Sequence, residues 1–84
     1  MSWGVEWSKT ALKDVKRLDA SVAERVREAI DRLAVTGQGD VKKLKGGEDV
    51  LRLRVGDWRV FFRLVPEAGL IQVVRVLHRS DAYR

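Results

Sequence analysis

Basic side chains crowd into the middle of this 84-residue chain. Residues 41–63 hold seven lysines and arginines against three acids, whereas residues 1–40 balance seven against seven. Within residues 50–65, VLRLRVGDWRVFFRLV, two alternating stretches flank Gly56-Asp57, a pair suited to a tight primed turn. Pairing Val55 with Trp58 sets Arg54 opposite Arg59, Leu53 opposite Val60, Arg52 opposite Phe61 and Leu51 opposite Phe62. Alternation then puts Arg52, Arg54, Arg59 and Arg63 on one face, with Leu51, Leu53, Val55, Trp58, Val60, Phe62 and Leu64 on the other. Like charges directly across a strand pair repel each other, so the pattern implies an anion for the arginines to meet. Lys42, Lys43 and Lys45 lie just upstream and extend the positive field. Guanidinium forks bind phosphate bidentately and stabilise the extra charge of a phosphoryl transition state.

The chain closes with HRSDAYR, which adds His78, Arg79 and Tyr83. An imidazole or a phenol can exchange protons with attacking and leaving oxygens, and an aromatic ring can stack on an unpaired base. An RNA strand carries its own nucleophile, the 2′-hydroxyl, so metal-independent cleavage asks the protein only for positioning and charge. Other chemistries lack their residues. One histidine and no cysteine argue against a transition-metal site, and no cofactor is expected. No acidic pair is spaced for two-metal or glycoside chemistry, and Ser80 has no nucleophile motif around it.

The elements that must carry these residues follow from periodicity. Residues 3–7 alternate as a first strand. Ser8 can cap a helix over 9–18 with Ala11, Leu12, Val15 and Leu18 on its stripe. Ser21 and Glu24 form a capping-box pattern ahead of a second helix, whose stripe is Val22, Val26, Ala29, Ile30 and Leu33 and whose stop is Gly37. Residues 37–49 read as a glycine-rich connection. Residues 70–77 form a last strand of undecided facing. Pairing Leu64 with Ile71 turns Val73 inward but turns Arg75 inward too, so the strand either contains a bulge or is covered on both sides. The expected fold is a single α+β domain over residues 1–84, β-α-α-β-β-β, with two helices on one face of a small antiparallel sheet. The absence of cysteine, of a long apolar run and of a signal-peptide pattern leads to an expectation of a cytoplasmic protein with no membrane partner.

The run KKLKGGEDVLRLRVGDWRVFFRL, the ending HRSDAYR and the opening VEWSKTALKDVKRL together resemble the RelE branch of the RelE/ParE toxin superfamily of toxin–antitoxin modules. The resemblance implies a type II toxin, an mRNA endoribonuclease that enters the ribosomal A site. It would cleave the bound messenger and leave a 2′,3′-cyclic phosphate and a 5′-hydroxyl. It also implies a RelB-like antitoxin that wraps the toxin and masks its basic surface. Position by position, it implies that Arg52 and Arg54 stand where relatives often carry lysines and that Arg59 holds the phosphate. Arg79 would stabilise the transition state or leaving group, and Tyr83 would stack on or orient the substrate. Arginine does not readily give up a proton, so His78 is expected to take the proton-transfer role. Two alternatives stand beside this reading: a ParE-like toxin that poisons DNA gyrase, and an antitoxin-binding relative without catalysis.

Overall fold

In the computed structural model, which describes residues 2–43 and 49–82, the chain runs β1 (Gly4–Trp7), α1 (Lys9–Lys16), α2 (Ala20–Thr36), β2 (Asp40–Lys43) and β3 (Val50–Val55). It continues with β4 (Trp58–Val65), a 3-10 turn (Pro66–Ala68), β5 (Leu70–His78) and a short α3 (Arg79–Ala82). The strands form one sheet in the order β1-β5-β4-β3-β2. Ala11 and Val15 of α1, with Ala23, Val26, Ile30 and Ala34 of α2, bury themselves against Leu53, Val60, Phe62, Ile71, Val73 and Val76. Burying each of the larger of these side chains contributes about 1.5–3 kcal/mol. The α+β class therefore holds, and no helix among the described residues is long and apolar enough to cross a membrane.

Two parts of the sheet differ from the expected layout. Residues 40–43, read as connection, form an edge strand antiparallel to β3, with Asp40 opposite Arg54 and Lys42 opposite Arg52. Their DVKK pattern offers a single apolar residue, too little for a periodicity signal. The sheet is also mixed rather than antiparallel, because β1 pairs parallel with β5, Val5 beside Ile71 and Trp7 beside Val73. The hairpin register, by contrast, matches at every expected pair from Val55–Trp58 to Leu51–Phe62.

The facing of β5 is settled by a bulge. Leu64 does pair with Ile71, but the register shifts between Phe61 and Phe62, so Phe62 faces Val73 while Phe61 faces Arg75. Val74 is the extra residue. Val73 and Val76 are buried, and Arg75 is released from the core. The open edge of β5 beyond β1 is satisfied by the next segment of chain. The Ser8 hydroxyl donates to the Val74 carbonyl at 3.0 Å while accepting from the Ala11 amide at 3.0 Å as the α1 cap. Asp14 accepts from the Val76 amide at 2.9 Å and from the Arg75 guanidinium at 2.9 and 3.2 Å.

Asp14 is only 8% exposed, whereas Leu12 is 47% exposed. The buried stripe of α1 is thus Ala11, Asp14 and Val15, and Leu12 of the expected stripe lies outside it. The hydrogen bonds that Arg75 donates to Asp14 raise its guanidinium above arginine's ordinary value, against an opposing effect of burial. A cation raised on folding adds stability below its unfolded value and loses it only as pH climbs past that range. The Arg75 side of the pair therefore persists across neutral pH.

Helix α2 begins earlier than the Ser21–Glu24 pattern implies. Asp19 occupies the N-cap position without a side-chain cap bond, which leaves Ser21 inside the first turn. The two helices are joined by so few residues that the tight link, rather than the cap chemistry, decides the start. Gly37 ends the helix as expected, left-handed at φ 75° with its amide on the Leu33 carbonyl. At the hairpin turn Gly56 alone has positive φ, 58°, the pattern of a II′ turn with glycine first. A Cβ there would meet Arg25 Nη2 of α2 at 3.0 Å.

Asp14→Ala is expected to lower the unfolding free energy by about 1–3 kcal/mol, because it leaves the buried Val76 amide without its acceptor, while the exposed Arg75 guanidinium turns to water. Asp14→Asn keeps an acceptor and should recover part of that loss. Urea unfolding of both variants checks this, and a loss below about 1 kcal/mol for the alanine variant would contradict it. Gly56→Ala should cost about 1–2 kcal/mol through its left-handed φ alone, also read by urea unfolding.

Candidate nucleic-acid interface

The face of the sheet away from the helices carries the arginines. Arg54 and Arg59 stand opposite one another, Arg52 stands opposite Phe61, and β2 extends these rows with Asp40 beside Arg54 and Lys42 beside Arg52. Asp40, Lys42, Arg52, Arg54 and Arg59 together line a hollow of about 90 Å³. Four cations against one carboxylate leave it strongly positive.

The repulsion between Arg54 and Arg59 is eased from within. Arg59 is 7% exposed, and its Nη1 donates to the Gly56 and Trp58 carbonyls, each at 2.9 Å. A buried guanidinium needs such partners, and these two anchor it to the hairpin turn. On the far side of Arg54, Asp40 brings a negative charge into the same hollow.

Arg79 approaches from the end of β5. Its amide donates to the Asp57 carbonyl at 2.8 Å, and its Nε lies 3.8 Å from the Asp57 carboxylate, an exposed contact that counts for little energetically. The turn Gly56-Asp57 is therefore held by Arg59 through one residue and by Arg79 through the next.

His78 lies elsewhere. It pairs with Trp58 on the helix side of the sheet, ring edge to ring face, with centroids 5.2 Å apart at 85°. Its Nδ1 lies 2.9 Å from the Ser80 hydroxyl and accepts from the Ser80 amide at 3.3 Å. That leaves Nε2 as the nitrogen open to a ligand. His78 and Trp58 line a cleft of about 500 Å³ with Asp14, Arg17, Leu18 and Arg75, and this cleft shares no residue with the arginine hollow.

The remaining expected residues divide. Lys42 joins the hollow, whereas Lys43 pairs with Leu51 and lines a separate depression with Asp49, Leu64 and Pro66. Arg63 shares the arginine face, but it lies four residues along β4 from Arg59, about 13 Å away. Lys45 and Tyr83 fall outside the described residues. Asp40 was not among the expected site residues, and alternation with Lys42 would have found it only once β2 was recognised. Asp14 was missed likewise, although its spacing of three from Ala11 places it on the buried stripe.

Comparison with known proteins agrees with this architecture. A family model described as the ParE toxin of the type II toxin–antitoxin system parDE matches residues 5–83. RelE1 of Methanocaldococcus jannaschii is 32% identical over 88 residues, covering 100% of this chain and 98% of its own. A chain of the RelB–RelE antitoxin–toxin complex from Methanococcus jannaschii shares 28% identity at a TM-score of 0.75, over 93% of this chain and 94% of that one. A chain of the RelBE2 toxin–antitoxin complex from Mycobacterium tuberculosis gives 0.83 at 25% identity, over 94% and 100%. With nearly its whole length matched and the fold shared, the chain belongs to the RelE/ParE superfamily of type II toxin–antitoxin toxins.

Proposed function

We propose that this toxin is a metal-independent endoribonuclease that cleaves messenger RNA in the ribosomal A site by attack of the 2′-hydroxyl on the adjacent phosphate. The observation that carries the reading is the hollow of Arg52, Arg54, Arg59 and Lys42, whose four cations converge on a space of phosphate size. Arg59 is pre-positioned by its backbone tethers and holds the scissile phosphate, with Arg54 beside it. Such preorganised donors stabilise transition-state charge without reorganisation at the moment of reaction. Arg52 reaches the same phosphate from one row further, Lys42 faces it from β2, and Arg63 and Lys43 add long-range attraction. Arg79 at the turn adds positive charge to the transition state, and Tyr83 stacks on a substrate base.

His78 would exchange protons through Nε2 only if the RNA strand crosses the turn and enters the cleft beside Trp58. Its distance in the fold from the hollow also supports a second reading, a toxin that acts by binding alone, on DNA gyrase for instance. The partner in either case is a RelB-like antitoxin, a chain of acidic or amphipathic character laid across the basic face. Structural relatives determined as antitoxin–toxin complexes support this. Such a contact is mainly electrostatic and weakens as ionic strength rises.

Cleavage on programmed ribosomes, with free RNA and a gyrase assay in parallel, tests the reading. Arg59→Ala and Arg79→Ala are each expected to slow A-site cutting by about 10²–10³-fold. Arg79 is exposed, so its variant separates lost chemistry from lost folding. Wild-type DNA breakage through gyrase without messenger cutting would select the binding reading. If His78 moves protons, His78→Ala flattens one limb of a bell-shaped pH–rate profile. An unchanged profile removes it from the reaction.

A further inference from the structure

The arginine hollow can bind a phosphodiester, but guanidiniums neither take the proton of a 2′-hydroxyl nor readily supply one to a departing oxygen. Strand β2 brings in the two groups that can. We infer that Asp40 is the general base and Lys42 the general acid of the cleavage, an assignment that rests on the ribonuclease reading above.

The placement supports it in three ways. Asp40 and Lys42 alternate on one strand, so both point to the arginine face, and both line the hollow with Arg52, Arg54 and Arg59. Two residues along a strand span about 6.5–7 Å, the separation that lets one group stand behind the attacking oxygen and the other behind the leaving oxygen of a single in-line phosphorus. Neither side chain is spent elsewhere. Among the described residues neither Asp40 nor Lys42 is engaged in an ion pair or a side-chain hydrogen bond.

The step balances with these groups alone. The Asp40 carboxylate takes the proton of the 2′-hydroxyl as that oxygen's electron pair forms a bond to phosphorus. The bond from phosphorus to O5′ breaks, its pair stays on O5′, and Lys42 gives that oxygen a proton. The products are a 2′,3′-cyclic phosphate and a 5′-hydroxyl. Exchange with water returns the proton to Lys42 and removes the one on Asp40, so no further reactant is consumed. Arg52, Arg54 and Arg59 hold the non-bridging oxygens throughout.

Charge makes the assignment separable from simple binding. Removing a carboxylate from a phosphate site should, by electrostatics alone, tighten RNA binding, whereas removing a base should abolish chemistry. Single-turnover cutting on programmed ribosomes is therefore compared for wild type, Asp40→Asn, Asp40→Glu and Lys42→Gln. Asp40→Asn is expected to lose about 10²–10⁴-fold in rate with an unchanged or lower half-saturation, and to lose the acidic limb of the pH–rate profile. Asp40→Glu should restore part of the rate. Lys42→Gln should lose the alkaline limb and be rescued by a messenger whose bridging O5′ is replaced by sulfur, a leaving group that needs no proton. The same messenger should not rescue Asp40→Asn.

An Asp40→Asn rate equal to wild type overturns the assignment. So does a drop in rate with raised half-saturation and an unaltered pH profile, or rescue of both variants alike. If the wild type cuts no messenger at all, the ribonuclease reading fails, and this assignment fails with it.

Discussion

The Asp14 carboxylate, held under α1 against the open edge of β5, is the contact on which the remaining geometry depends. It supplies the acceptor that the bulged strand lacks, neutralises the arginine that the bulge expels, and fixes α1 to the sheet. Without the extra residue at Val74, the pairing begun at Leu64–Ile71 would carry Arg75 inward opposite Val60 and turn Val76 out opposite Arg59. The bulge reverses that parity. Val76 is returned to the core, and His78 is delivered opposite Trp58 on the helix side. The bulge, with Asp14 satisfying the groups it exposes, thus sets the face of the sheet on which the imidazole lies. Buried charges are tolerated where every lone pair finds a donor, and Asp14 has three such bonds.

The molecule separates its charge into two regions joined by a turn. On one side, a hollow of guanidiniums is made tolerable by two carbonyl tethers on Arg59 and by the carboxylate of Asp40. On the other, a larger cleft mixes aromatic, acidic and basic walls. Trp58 and Arg59 are consecutive, so strand alternation alone sends them to opposite sides. Arg59, which lines the hollow, and Arg79 bind the Gly56-Asp57 turn at adjacent residues. The hairpin turn is therefore a structural hinge point for the site as well as a change of chain direction.

Much of this was legible in the sequence, for identifiable reasons. The hairpin register could be counted outward from Gly56-Asp57 because a two-residue turn leaves no freedom of register. Ser8 and Gly37 announced helix ends because each plays a local role, a side-chain acceptor in one case and a left-handed backbone in the other. The failures were tertiary. Leu12 looked like a core residue, and nothing local marked Asp14, whose partner Arg75 lies sixty-one positions away. Ser21 offered a good cap, but the short link from α1 had already started the helix. Strand β2 was hidden because an edge strand with one apolar residue is specified by its neighbour rather than by its own pattern. The arginine set was found from alternation, whereas Asp40 depended on that hidden strand and so escaped.

The parallel pairing of β1 with β5 joins residues 4–7 to residues 70–73. Contacts of such long sequence separation form late, since most of the loop entropy must be spent before they return anything. During synthesis the helices and the β3–β4 hairpin can be complete while the sheet still lacks β5 and its first strand has nothing to lie beside. The arginine-bearing hairpin is thus made before the scaffold that fixes its surroundings, and the fold closes only when β5 has emerged. A chain built this way completes its sheet in one step, when β5 takes its place between β1 and β4.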